Sequence, residues 1–275
     1  MFAFLWASSA VAAGKRVTYP YFDDTYLAPG ESKGAAVFVP AQLAHPKKAP
    51  LVVFLHGNNP EGVLHKEFGA YGQTDLSEVA ENLVASGTSR PFIIAAPSQT
   101  RHADAGKRLW QDFDLDSFVD VTEQQLGGSG SIARDQVYVI GHSGAGCNPD
   151  GGLLRAATHS RNAPRAVIAV DTCLDGDSGQ AIGLANPNTT VWIRWQHGTW
   201  MRPVEQFASA YARSARQSGR MWLRMEEVHG LGTDAHMAIL LDTFTSALPT
   251  LLPPPAQAPQ AKPHMQLATS VRSAK

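Results

Sequence analysis

The chain has 275 residues, 44 % of them hydrophobic, which is enough for one large domain with an extensive core. A formal net charge of -1 with no basic block argues against nucleic acid or an anionic membrane surface as the main partner. No apolar run reaches the roughly 18 residues that a membrane span needs, and neither Gly-x-Gly-x-x-Gly nor a Walker sequence occurs.

Residues 1–13 are apolar (Phe2, Phe4, Leu5, Trp6) and run into Ala10-Val11-Ala12-Ala13, the composition of a secretory signal with its small-residue cleavage site. This predicts a secreted or periplasmic protein whose folded domain occupies residues 14–251. Residues 16–26 and 35–40 alternate as two strands of an antiparallel hairpin around Pro29-Gly30. Pro50 then introduces Leu51-Val52-Val53-Phe54-Leu55, an unbroken apolar run of the kind buried on both faces of a parallel sheet, ending at His56-Gly57-Asn58-Asn59. Helical spacing over 74–86 and an apolar strand over 91–96 follow. A helix over 112–126 and a Gly-Gly-Ser-Gly loop at 127–130 come next.

Residues 136–146 read Gln-Val-Tyr-Val-Ile-Gly-His-Ser-Gly-Ala-Gly. A β-branched run (Val137, Val139, Ile140) breaks into a turn of small residues with Ser143 at its apex. That is the layout of a nucleophile elbow, in which the hydroxyl stands clear above the sheet; Ala145 replaces the last glycine of G-x-S-x-G. A helix starting just after Ser143 would aim its first N–H groups at any oxygen gaining negative charge there. Residues 144–159 are expected to form that helix, kinked or restarted at Pro149, Gly151 and Gly152. Strands over 165–171 and 190–195, a helix over 204–218, a strand over 221–228 and a closing helix over 236–248 complete the alternation. Residues 252–275, rich in Pro, Ala and Gln, are expected to form a disordered tail. The segment 172–189 is too short for a large lid domain.

The alternation predicts a doubly wound, mainly parallel α/β sheet with its site at the C-terminal strand ends, where Ser143, His56-Gly57, Asp171 and His236 all fall. Cys147 and Cys173, the only cysteines, lie just beyond the tips of sequential strands and are expected to form a disulfide. The ten histidines show no His-x-x-x-His or His-Glu-x-x-His spacing, so no catalytic metal is expected.

Three segments resemble the α/β-hydrolase superfamily of esterases and lipases over about residues 16–250. They are the Phe54-Leu55-His56-Gly57 loop, the lead Ile132-Ala133-Arg134-Asp135-Gln136-Val137-Tyr138 into Gly141-His142-Ser143-Gly144, and a histidine just before the last helix. The resemblance implies an α/β-hydrolase type of sheet and a serine hydrolase acting on a small or polymeric carboxylic ester, without a cofactor. Ser143 would be the nucleophile and His236 its base, with His229 the second choice. Asp171 would be the acid by a variant placement seen in some lipases, because His197-Gly198-Thr199 is followed here by Trp200, Met201 and Arg202 rather than by the usual aspartate. Asp175 and Glu205 are the alternative acids, while Asp234 suits a helix cap. The backbone N–H of Gly144 and Asn58, or Asn59 next, would form an oxyanion hole; His142 would line the elbow. Trp110, Trp200, Met201 and Phe207 are candidates for an acyl pocket or for the core. A peptidase or amidase on the same scaffold, and a non-catalytic binding protein on a degenerate one, are the competing readings.

Overall fold

A computed structural model of the chain describes residues 14–21, 34–43, 48–59, 68, 75–99, 109–185, 188–199, 201–218 and 222–255. The expected signal, most of the expected tail, and Trp200 lie outside them. Eight strands make one sheet: β1 (Lys15–Tyr19), β2 (Ala35–Val39), β3 (Lys48–Leu55), β4 (Ile93–Pro97), β5 (Ser131–His142), β6 (Ala166–Val170), β7 (Thr190–Gln196) and β8 (Leu223–Val228). Their order is β1-β2-β4-β3-β5-β6-β7-β8. The β1–β2 and β2–β4 pairs are antiparallel and every other pair is parallel.

The unbroken apolar run of β3 has a direct cause. Leu51, Val53 and Leu55 join the core on one face of the sheet, and Val52 and Phe54 join the core on the other. The first core is closed by α2 (Leu115–Leu126), α3 (Gly152–His159), α4 (Gly176–Ala185) and α5 (Met201–Ala215), through Phe118, Leu153, Ile182 and Phe207. The second is closed by α1 (Leu76–Ala85), α6 (Ala235–Asp242), a π turn at Thr243–Ala247 and α7 (Leu248–Leu251). No helix among the described residues is long and apolar enough to cross a membrane.

One element restarts as the sequence leads one to expect, and one is new to it. The helix behind the elbow begins as a single 3-10 turn, Ser143–Gly146, and restarts only at Gly152. The intervening chain is held in an open turn: Asn148 Nδ2 donates to the Leu109 carbonyl at 2.9 Å, and its Oδ1 accepts from the Asp150 N–H at 3.0 Å. Helix α4 replaces part of what reads as a plain connection. Its glycines conceal it in sequence because they lower helix propensity, yet they let it lie directly on α5: a Cβ added at Gly179 would sit 2.3 Å from the Phe207 carbonyl oxygen.

Buried Arg194 on β7 anchors the far end of the sheet. It donates to Glu226 on β8 from Nε at 3.2 Å and from Nη2 at 3.1 Å, to Asp242 on α6 at 2.7 Å, and to Thr243 Oγ1 at 2.8 Å. A buried guanidinium is tolerated when its donors are satisfied in this way. The same cluster fixes α6, the helix that carries His236.

Candidate active site

Ser143 immediately follows β5 with φ 54°, and Asp171 immediately follows β6 with φ 47°. A side chain in the left-handed region costs roughly 1–3 kcal/mol and persists only where the surroundings enforce it. Among the described residues one other non-glycine residue has positive φ, Trp110 at 58°, and it supports the same site from below. The surroundings that enforce Ser143 are visible. A Cβ on Gly57 would fall 2.6 Å from Ser143 Cβ and 3.0 Å from its Oγ, so the loop after β3 passes against the elbow with room for hydrogen alone. A Cβ on Gly144 would fall 3.2 Å from the Asn58 backbone nitrogen, so the loop after β3 also runs close beside the residue that follows Ser143. Gly57→Ala is therefore expected to destabilise the fold by about 1–3 kcal/mol in chemical denaturation. Gly130→Ala, whose added carbon would meet only Ile93 Cδ1 at 3.6 Å, should stay within about 0.5 kcal/mol of wild type.

The loop carrying Asn58 is rigidly built. His56 is buried; its Nδ1–H donates to the Gly57 carbonyl at 2.7 Å and its Nε2 accepts from the Gln99 N–H at 2.9 Å, which fixes the tautomer. Trp110 packs edge-on against the imidazole, centroids 4.8 Å apart, and donates from its indole to the His56 carbonyl at 3.0 Å. Asn59 is buried too, its side chain donating to the Gln99 carbonyl at 2.8 Å, so it braces the loop from within.

Asp171, just past β6, is buried and hydrogen-bonded to His236 Nδ1. Its carboxylate also accepts from the Gln196 side chain at 2.7 Å, the Gln196 N–H at 3.3 Å and Thr199 Oγ1 at 3.5 Å, while its own N–H donates to the Arg194 carbonyl at 2.8 Å. Burial, the largest single influence, favours the neutral acid, but the hydrogen bond and charge of His236 together with the Gln196 donors outweigh it and hold the carboxyl below its ordinary value. Asp171 is thus an anion at neutral pH. His142 draws the pair to the elbow: its Nε2–H donates to the His236 carbonyl at 2.8 Å and the two rings lie 4.6 Å apart. With Nδ1 of His236 turned to Asp171, Nε2 is the nitrogen left for a proton on the other side of the ring.

The segment after β6 also holds the elbow. Thr172 Oγ1 donates to the Ser143 carbonyl and accepts from the Gly146 N–H at 3.1 Å. Cys173 is joined to Cys147 in a disulfide with Cα atoms 4.8 Å apart, as the sequence leads one to expect. Thr172, Gln196 and Thr199 escape sequence reading because each is an ordinary polar residue; the register of β6 against β5 brings Thr172 to the elbow, and that of β6 against β7 brings Gln196 and Thr199 to Asp171.

The remaining candidates lie elsewhere. His229 is exposed at the end of β8 and faces Glu227. Asp175 caps α4, accepting from the Ser178 N–H at 3.0 Å, and Asp234 occupies the N-cap position of α6. Trp110 and Phe207 are fully buried core residues and line no surface. A polar depression of about 610 Å³ between α4 and α5 is lined by Asp175, Glu205, Arg213 and neighbours, but not by Ser143, His236 or Asp171. No histidine is among its lining residues.

No protein-family model and no curated protein matches the sequence. Solved structures do match the fold. A ferulic acid esterase superposes with a TM-score of 0.57 at 14 % identity, covering 87 % of this chain and 98 % of its own. The feruloyl esterase module from Clostridium thermocellum gives 0.57 at 14 % identity, with 87 % and 88 % covered. The acylaminoacyl peptidase of Pyrococcus horikoshii gives 0.51 at 15 % identity, covering 90 % of this chain and 43 % of that one. Sheet order, the strained serine at the tip of β5 and these likenesses together establish that the chain has the α/β-hydrolase fold.

Proposed function

We propose that the protein is a serine hydrolase that cleaves carboxylic esters through an acyl-enzyme. The observation that carries this reading is the His236–Asp171 hydrogen bond, drawn by His142 to the residue next to a strained Ser143. In this reading Ser143 Oγ adds to the ester carbonyl carbon while His236 Nε2 takes its proton. The carbonyl oxygen becomes an oxyanion between the N–H groups of Gly144 and Asn58, and Asp171 steadies the imidazolium. The tetrahedral adduct then expels the alcohol, which leaves with the proton from His236. Water, deprotonated by the same imidazole, adds to the acyl-serine; collapse releases the acid and returns the proton to Ser143. Each step uses residues of this chain alone.

The disulfide supports a secreted or periplasmic location, since such bonds persist in oxidising compartments. The fold's neighbours include feruloyl esterases and a peptidase, so the acyl and leaving groups must be tested together. A panel of p-nitrophenyl esters from acetyl to long acyl, with feruloyl esters included, should be compared with matched p-nitroanilides. Ester turnover exceeding anilide turnover by at least about 100-fold is expected, because p-nitrophenolate leaves without being protonated whereas the anilide nitrogen must gain a proton as it leaves. Comparable rates would favour the amidase reading. No turnover of any substrate, with no labelling by a fluorophosphonate, would favour a binding protein on this fold.

A further inference from the structure

Outside this constellation, the ends of β7 and β8 bring together two imidazoles and a carboxylate. His197 Nδ1 lies 3.0 Å from Glu227 Oε1, and His229 Nε2 lies 3.8 Å from Glu227 Oε2. The two rings are 4.3 Å apart and inclined by 31°. One ligand atom from each residue lies within 4.8 Å of the others. Strand geometry explains the grouping. Gln196 pairs with Val228, and the His197 N–H donates to the Val228 carbonyl at 3.0 Å, so the next residue on each strand, His197 and His229, arrive side by side. Glu227 precedes His229 by two positions and so shares its face of the strand.

We propose that His197, Glu227 and His229 form a binding site for a zinc-class divalent cation. Neutral imidazole nitrogens and one carboxylate suit Zn²⁺ and its neighbours, whereas Ca²⁺ and Mg²⁺ prefer all-oxygen shells. A tetrahedral Zn²⁺ with ligands at about 2.0–2.2 Å holds them roughly 3.3–3.5 Å apart. The spread here closes to that by rotating His197 and His229, whose side chains are 65 % and 62 % exposed and therefore free to turn. The Gly198 N–H donates to Glu227 Oε1 at 3.3 Å and orients the carboxylate, as outer hydrogen bonds do at metal sites. Water would complete the shell.

The position gives the ion a consequence. His197 follows Gln196 and precedes Thr199 by two residues, and both of these hold Asp171. His229 opens the segment that leads to His236 on α6. A cation there would clamp both approaches to the Asp171–His236 pair without touching either residue.

The site can be tested on the whole protein, purified without a polyhistidine tag and stripped with a chelator. Zn²⁺ titrated calorimetrically should bind at one equivalent, and Co²⁺ should give the visible absorption of a low-symmetry four-coordinate complex. At about a 100-fold excess over Kd, Zn²⁺ should raise the thermal midpoint by roughly 5 °C. His229→Ala, at an exposed position, and Glu227→Gln, an isosteric change at a part-buried one, should keep the metal-free midpoint within about 2 °C of wild type and weaken Zn²⁺ affinity at least 10-fold. Binding that is absent, or equal in wild type and both variants, would overturn the proposal. Neither result depends on the hydrolase reading, because no readout is turnover.

Discussion

Replacing Ser143 with alanine is expected to lower kcat/KM for an activated ester by about 10⁵–10⁶-fold and to abolish labelling by a fluorophosphonate. The fold should survive. Alanine loses one oxygen from the elbow, keeps the β-carbon that faces Gly57, and bears the same positive φ of 54° as serine, so the thermal midpoint should shift by no more than about 2 °C. Ser143→Gly separates the two aspects of the residue. Glycine enters the left-handed region freely, so this variant should gain about 1 kcal/mol, a rise of a few degrees, while remaining as inactive as the alanine form. A site evolved for activity rather than stability would behave in that way. Turnover by Ser143→Ala within tenfold of wild type would remove Ser143 from the reaction.

Asp171→Asn is expected to lower kcat by about 10³–10⁴-fold with a small change in KM. An amide in this place can present its N–H₂ to His236 Nδ1, which would leave the proton on Nε2, the nitrogen that must accept one from Ser143. Asp175→Asn and Glu205→Gln should stay within about threefold of wild type. Asp175 acts as the cap of α4, a role asparagine can also fill, so a loss of about 1 kcal/mol of stability is expected for Asp175→Ala instead. The same aspartate makes a pH prediction. Its carboxyl titrates below the ordinary value of 3.8 in the folded state, so the unfolded chain takes up its proton first as the medium is acidified. The stability it contributes is complete above that value and is lost as pH falls through the lower folded one. Denaturation curves for wild type and Asp171→Asn should therefore differ most near neutrality and converge in strong acid. An unchanged difference across that range would show that the carboxylate charge is not what the fold stabilises.

Much of the frame is legible in the sequence because the residues that specify it act locally. Leu51 to Leu55 reads as a two-sided strand from hydrophobicity alone, and the Gly141–Gly146 turn reads as an elbow because only small residues reverse that sharply. Ser143 and Asp171 are legible as residues just past strand tips, whereas the hydrogen bond of Asp171 to His236 depends on where α6 packs. Features that depend on how distant segments meet are not legible. Helix α4 is hidden by the glycines that fit it to α5. Gln196 reads as the unremarkable end of a strand, yet it supplies two of the donors around Asp171. Asp171 lies one strand earlier than the His197-Gly198-Thr199 segment, and Gln196 and Thr199 reach back to it. The cluster of His197, Glu227 and His229 has no local spacing to betray it, since parallel register rather than sequence proximity assembles it.

The three consecutive residues Asp171, Thr172 and Cys173 are tied to three different partners: an imidazole on α6, the serine carbonyl at the end of β5, and a cysteine just past it. Substitutions within such a tripeptide should combine non-additively, because a shift of any one residue displaces the other two from their partners. Directed evolution of this chain would therefore find the tripeptide nearly closed to stepwise change. A productive route would exchange residues 171–173 together with 143–147 as one block, and treat the two strand tips as a single heritable cassette.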